Sequence, residues 1–154
     1  DSYYLGVMGD DEKQRLSLEK IRLSQDEIDD VRNLLSSEEE FDHVFIGCPH
    51  CSLSEIKRIS GIVAGKRLKK NLWCYTSRAV FSSAQRLGYI ARIEKAGGKV
   101  ICDTCMVVSP IEELGVEGVL TNSCKAAHYL PSLCGSNVSL TSLERGVRYA
   151  IEGN

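Results

Sequence analysis

Two cysteine pairs, Cys48-Pro-His-Cys51 and Cys102-Asp-Thr-Cys105, carry the most reactive chemistry in this chain. Two thiols at that spacing ahead of a helix can exchange disulfides, because the helix N-terminus lowers the thiol pKa. Two such pairs together can hold a structural zinc. Single cysteines brought together from separate loops can hold an iron–sulfur cluster. A further thiol, Cys124, follows Thr-Asn-Ser. Seven cysteines in 154 residues is a high and odd count. The N-terminal residues lack the basic-then-apolar order of a secretory signal, so a reducing, cytoplasmic setting is the expectation. There, clustered cysteines point to metal or catalysis rather than disulfides. Cys74 and Cys134 are read instead as small buried hydrophobes.

The elements that would position these thiols follow from the apolar pattern. From residue 41 apolar strands alternate with capped helices. FDHVFIG (41–47) reads as a strand. Ser52 and Glu55 form a capping box before the stripe Ile56, Ile59 and Val63, which Gly65 ends. LWCYT (72–76) is a second strand, followed by a helix over 78–87 and another over 90–95, which runs to Gly97-Gly98. KVICD (99–103), GVL (118–120) and NVSL (137–140) are three more strands. SCKAAHYL opens the helix after the fourth. Thr141 and Glu144 are expected to cap the last helix, which carries Val147, Ala150 and Ile151. Residues 1–40 are polar and form a peripheral N-terminal segment, with a short strand over 20–23 and a helix capped by Ser24 and Glu27. Alternating strands and helices predict a three-layer α/β/α domain over 41–154, with a mainly parallel sheet of about five strands.

In an open sheet of this kind, ligands bind beyond the carboxyl ends of the strands. Those ends carry Gly-Cys-Pro-His-Cys-Ser, Tyr75-Thr-Ser-Arg78, Cys102-Asp-Thr-Cys105 and Thr121-Asn-Ser-Cys-Lys125. Cys48, Cys51, Cys105 and Cys124 are therefore expected at one edge, and Cys134 at the other. Arg78 has the donor fork to grip a carboxylate or phosphate, or it is a solvated surface residue. Ser77 and Ser123 begin helices and are either caps or anion contacts, with Lys125 one turn on. His50 is placed to be an acid–base group, a ligand or a polar neighbour of the site.

The alternatives divide on context. A thioredoxin-like exchanger needs a proline facing the dithiol from before a later strand, and neither Pro110 nor Pro131 sits there. Zinc ribbons are compact units, whereas here a strand and two helices separate the two pairs. A hydro-lyase cluster needs only three thiolates, which leaves one iron open to polarise a departing hydroxyl. Cysteines scattered over several strand ends, beside serine, arginine and lysine, suit that need. The net charge of −2 gives no polyanion-binding surface, so no nucleic-acid partner is expected. No apolar run is long enough for a membrane span.

Five segments in this order, IGCPHCSLSEI, LWCYTSRAV, CDTCMVVSP, LTNSCKAAHYLPS and LTSLERGV, resemble the C-terminal portion of the aconitase X family, and more closely its archaeal-type large subunit. The likeness runs through 41–152, with a lead-in from about residue 20. It implies an aconitase-like fold, a hydro-lyase reaction and an iron–sulfur cluster, of the 4Fe-4S kind with one open iron. It also implies a small swivelling subunit that completes the site. The implied substrate is a small anionic hydroxy acid: mevalonate phosphate in archaeal-type members, a hydroxyproline in bacterial ones. Carried onto this sequence, the likeness assigns Cys48 and Cys105 to the cluster. Cys124 or Cys51, or a residue outside the chain, is the third ligand. It assigns Ser77, Arg78, Ser123 and Lys125 to the substrate side, where His50 is added from its place at the same edge. The catalytic base of the superfamily is a serine on the swivelling part, and no residue here takes that role. The chain is then one domain of a larger enzyme, expected to fold alone without turning over substrate.

Overall fold

The computed structural model describes residues 22–36 and 39–153. Two compact units divide between Asp30 and Val31. Helix α1 (Gln25–Leu34) crosses that boundary and buries none of its residues. Ser24 and Glu27 cap it reciprocally: the Glu27 carboxylate accepts from the Ser24 N–H at 2.7 Å, and the Ser24 hydroxyl accepts from the Glu27 N–H. The strand expected over 20–23 is not formed where it can be seen, since residues 22–24 are irregular; Lys20 and Ile21 lie outside the described residues.

The second unit holds a five-stranded parallel sheet: β1 (His43–Cys51), β2 (Asn71–Thr76), β3 (Lys99–Cys102), β4 (Gly118–Thr121) and β5 (Asn137–Leu140). Its order is β3-β2-β1-β4-β5. The chain steps outward from β1 to β3, then returns to the other side of β1 for β4 and β5. Parallel crossovers are right-handed, so this reversal of direction puts the two sets of connections on opposite faces. On the first face lie α2 (Leu53–Ile62), α3 (Arg78–Arg86), α4 (Tyr89–Ala96) and, after β5, α6 (Leu143–Glu152). The second face carries α5 (Cys124–Cys134) and the irregular 103–117 connection. The three-layer architecture expected from the sequence is present.

The helices form where the apolar spacing and caps demand. The Ser52–Glu55 box is made in both directions, and Ile56, Ile59 and Val63 are fully buried beneath it. In α6, Leu143, Val147 and Ala150 face the sheet. Its cap is Ser142, not Thr141, because the Thr141 N–H is already taken by the Thr121 carbonyl at 2.8 Å, extending the β4–β5 ladder. The helix opened by SCKAAHYL runs on to Cys134, with Pro131 inside it. No helix among the described residues is long and apolar enough to cross a membrane.

The largest departure from the sequence reading is β1. It does not end at Gly47. Ile46 pairs with Cys74, and the chain rejoins the ladder only at Cys51, opposite Thr76. The residues between form an irregular bulge containing a cis Cys48–Pro49 peptide. Gly47 makes the bulge possible: its φ is +112°, and a Cβ there would meet the Tyr75 carbonyl oxygen at 2.3 Å. Replacing Gly47 by Ala combines a disfavoured backbone with a clash against β2. The substitution is expected to lower stability by about 2–4 kcal/mol, measured by urea unfolding.

Candidate metal and substrate site at the strand ends

The sheet order reverses at β1 and β4, so their carboxyl ends frame the crevice where an open α/β sheet places its ligand. Cys48 stands at this point on the β1 bulge. Ser123, the N-cap of α5, faces it from β4. The Ser123 hydroxyl accepts from the Ala126 N–H at 3.0 Å and donates to the Cys48 carbonyl. One side chain thus joins the first turn of α5 to the bulge. Thr121 adds to the same corner by accepting from the Ser123 N–H at 3.3 Å.

Cys48 and Cys51 lie on opposite faces of the sheet, as residues three apart in a strand do, and the bulge swaps which face each takes. Cys48 packs with Phe45, Tyr75, Met106 and Ala126 on the second face. Cys51 packs with Ile56, Ile59 and Cys74 on the first. A dithiol needs two sulfurs that meet, so the exchange reading of CPHC fails on geometry. The thiol pKa directions agree. Burial pushes Cys51 up to about 12 and raises Cys48 as well, opposite to the lowering on which such enzymes depend. Cys74 is likewise raised by burial, as expected of a core thiol.

Cys105 reaches Cys48 from the other side. Beyond β3 the chain turns sharply at Asp103, whose φ is +62°. It then folds back over the second face, with Met106 and Ile111 fully buried. Three contacts fix this turn. Asp103 accepts from the Arg78 backbone N–H at 2.9 Å and from its Nε at 2.7 Å. The exposed His50 ring meets the Thr104 carbonyl at 2.8 Å. The Ser109 hydroxyl donates to the Cys105 carbonyl at 2.8 Å. The outcome brings Cys105 near enough to act on the Cys48 thiol, on which the Lys125 charge also acts.

The remaining sequence-predicted residues divide by position. Ser77 caps α3, accepting from the Val80 N–H at 3.3 Å. Arg78, with its side chain 76% exposed, spends one side of its guanidinium on Asp103 and presents the rest to solvent. Lys125 is exposed on the first turn of α5. Cys124 is exposed too, but it lines a separate cleft of about 540 Å³ with Asn122, Leu140, Ser142 and Arg145. Among the described residues no three His, Cys, Asp or Glu side chains converge closely enough to hold a metal. The structure therefore brings Cys48 and Cys105 together and leaves Cys124 apart. Cys134, at the far end of α5, lies away from the pair; burial, and then Glu112, raise its thiol.

Sequence reasoning named Tyr75 and Thr76 only as part of the segment that ends the second strand, and passed over Met106. Tyr75 sits beside the pair, fully buried, with its phenol oxygen lacking a hydrogen-bond partner among the described residues. The available signal was its register: Phe45, Trp73 and Tyr75 point to one face, and Phe45 stacks on Trp73 at 5.0 Å and meets Tyr75 edge-on at 5.9 Å. Thr76 donates to the Cys51 carbonyl at 2.6 Å and holds the bulge from β2.

The fully buried Cys74 and the nearly buried Cys51 have raised thiol pKa values, and thiolate is the reactive form. In the folded chain at pH 8, iodoacetamide is expected to label Cys124 first and to leave Cys51 and Cys74 unmodified until denaturant is added. Peptide mass spectrometry over a time course reads this order directly.

Comparison with known proteins agrees with this fold. Residues 41–152 match the family model for the aconitase X third domain. The chain is 51% identical over 128 residues to the phosphomevalonate dehydratase large subunit of Methanocaldococcus jannaschii, covering 82% of this chain and 32% of that one. It is 33% identical over 147 residues to the cis-3-hydroxy-L-proline dehydratase of Hypocrea jecorina, covering 91% of this chain and 25% of the relative. The crystal structure of Thermococcus kodakaraensis aconitase X in its holo-form superposes with a TM-score of 0.80 at 37% identity, over 96% of this chain and 37% of that one. The chain thus spans about a quarter to a third of the length of the curated relatives it matches. With the reversed-order parallel sheet and the cysteines at its switch point, this match places the chain in the aconitase X family, as its third domain.

Proposed function

We propose that this chain is the part of an iron–sulfur hydro-lyase that contributes two cluster ligands, Cys48 and Cys105, and one wall of an anionic substrate site. The single observation that carries the reading is the convergence of these two thiols at the topological switch point, from two segments far apart in sequence. Their surroundings fit a bound cluster. Cys48 is buried among Phe45, Tyr75 and Met106, Lys125 supplies positive charge that favours thiolate, and a phenol without a partner stands beside them. When bound, the cluster supplies a Lewis-acidic iron for the hydroxyl that leaves as water.

The protein's own residues bind and orient. Cys48 and Cys105 hold the group. Lys125 and the outer edge of Arg78 offer cationic donors to a carboxylate or phosphate at the strand ends. Asp103 fixes Arg78 from one side, which restricts the directions in which its free donors point. His50 steadies the 103–105 turn and stands at its exposed rim. Ser77 and Ser123 act through their helix starts, whose backbone N–H groups face the same edge. No residue of this chain is assigned the proton abstraction, which falls to the partner subunit.

The substrate proposed is mevalonate phosphate. The phosphomevalonate dehydratase relatives reach 51% identity, whereas the hydroxyproline dehydratase relatives stand at 33% and 32%. The third cluster ligand is proposed to come from another part of the full-length subunit, since Cys124 opens into a different cleft.

The test uses the intact large subunit assembled with its small partner. Replacing Cys48 or Cys105 by Ala is expected to cut iron content and dehydration of mevalonate phosphate to near background. Cys124→Ala is expected to retain iron. Loss of iron in Cys124→Ala to the same degree would make Cys124 the third ligand. Turnover by the 154-residue chain alone would overturn the reading that it is only a part of the enzyme.

A further inference from the structure

Tyr75 is the next-to-last residue of β2, fully buried, and packed in one core with Phe45, Cys48 and Met106. Its ring stands edge-on to Phe45, which leaves little freedom to turn. The Cys105 side chain acts on its phenol electrostatically. Yet the phenol oxygen has no hydrogen-bond partner among the described residues. A buried hydroxyl without a partner is costly, and phenylalanine would fill the same space without that cost. His43 Nδ1, Ser60 Oγ and Asn122 Oδ1 are also unpartnered, but none of these residues shares the core that holds Cys48. An ordinary phenol is neutral at pH 7 and donates a hydrogen bond. What it lacks is an acceptor, and the electron-rich sulfur of a cluster whose irons Cys48 and Cys105 would hold is one.

We infer that Tyr75 is a positioning residue, whose hydroxyl donates a hydrogen bond to the sulfur edge of the group held by Cys48 and Cys105. The inference rests on the cluster reading above and goes beyond it by naming what tunes the group. A donor to cluster sulfur stabilises the more electron-rich state and so raises the reduction potential. It also holds the group in place: a hydrogen bond to a charged acceptor of about 1.5 kcal/mol corresponds to roughly tenfold in retention.

The experiment compares wild type with Tyr75→Phe in the intact enzyme, reconstituted anaerobically with iron and sulfide. Tyr75→Phe is expected to lose iron to a chelator about tenfold faster. Its midpoint potential shifts negative, and its sulfur-to-iron charge-transfer absorption moves. In the metal-free enzyme, amide exchange of residues 72–76 is expected to stay unchanged or slow down, because an unpartnered hydroxyl has been removed. Unchanged iron loss, potential and absorption in a well-loaded Tyr75→Phe would overturn the inference and leave the cluster reading standing. Faster exchange at 72–76 in the metal-free variant would also overturn it, since the hydroxyl would then have a partner within the protein. A wild-type enzyme that takes up no iron would overturn both.

Discussion

The site depends on one small interaction, the Ser123 hydroxyl shared between the Ala126 N–H and the Cys48 carbonyl. It lies where the sheet changes direction, and β1 and β4 have no hairpin or short loop to fix their ends together. A helix cap already needs a side-chain oxygen at this position. Because a hydroxyl can donate as well as accept, the same oxygen also ties down the strand beside it. The backbone of Cys48 is thereby fixed relative to the start of α5, which carries Lys125.

The second constraint is the bulge that follows. A regular strand would alternate its side chains through residues 46–51, with no room for Cys48 to leave the ladder. Six residues of β1, from Ile46 to Cys51, are set against three of β2, from Cys74 to Thr76. Gly47 lets β1 pass against the Tyr75 carbonyl, and Thr76 catches the Cys51 carbonyl on the far side. The result exchanges the faces that two thiols three residues apart would take in a regular strand. Cys51 becomes a core side chain under α2, and Cys48 turns to the face on which the 103–117 segment brings Cys105. That segment has no helix of its own. It is held by the Asp103–Arg78 pair, the His50–Thr104 contact and the burial of Met106 and Ile111.

Much of this was legible in the sequence. Apolar stripes and serine or threonine starts gave α2, α3 and α6, and the short apolar runs between them gave five parallel strands. The rule that such sheets bind at their carboxyl edge led to Cys48, Cys51, Cys105, Cys124, Arg78 and Ser123 without any coordinates, and the family resemblance singled out Cys48 and Cys105 among the thiols. What failed was local: β1 was read as stopping at Gly47, and Thr141 as the last cap. Both errors have one cause. Backbone N–H and carbonyl groups were already engaged by a neighbouring strand, and strand pairing over long sequence distances leaves no periodic trace.

The sequence by itself determined the elements, their order and the edge where the chemistry gathers, because helix stripes, caps and strand patterns are written in residues close together along the chain. Tertiary structure alone decided which thiols meet. Cys48 and Cys51 are neighbours in sequence and are parted by the sheet between them; Cys48 and Cys105 are far apart in sequence and are joined across it. It also decided that the Tyr75 hydroxyl would be buried with no partner, since the face a strand residue takes is periodic but the atoms it finds there come from other strands and loops.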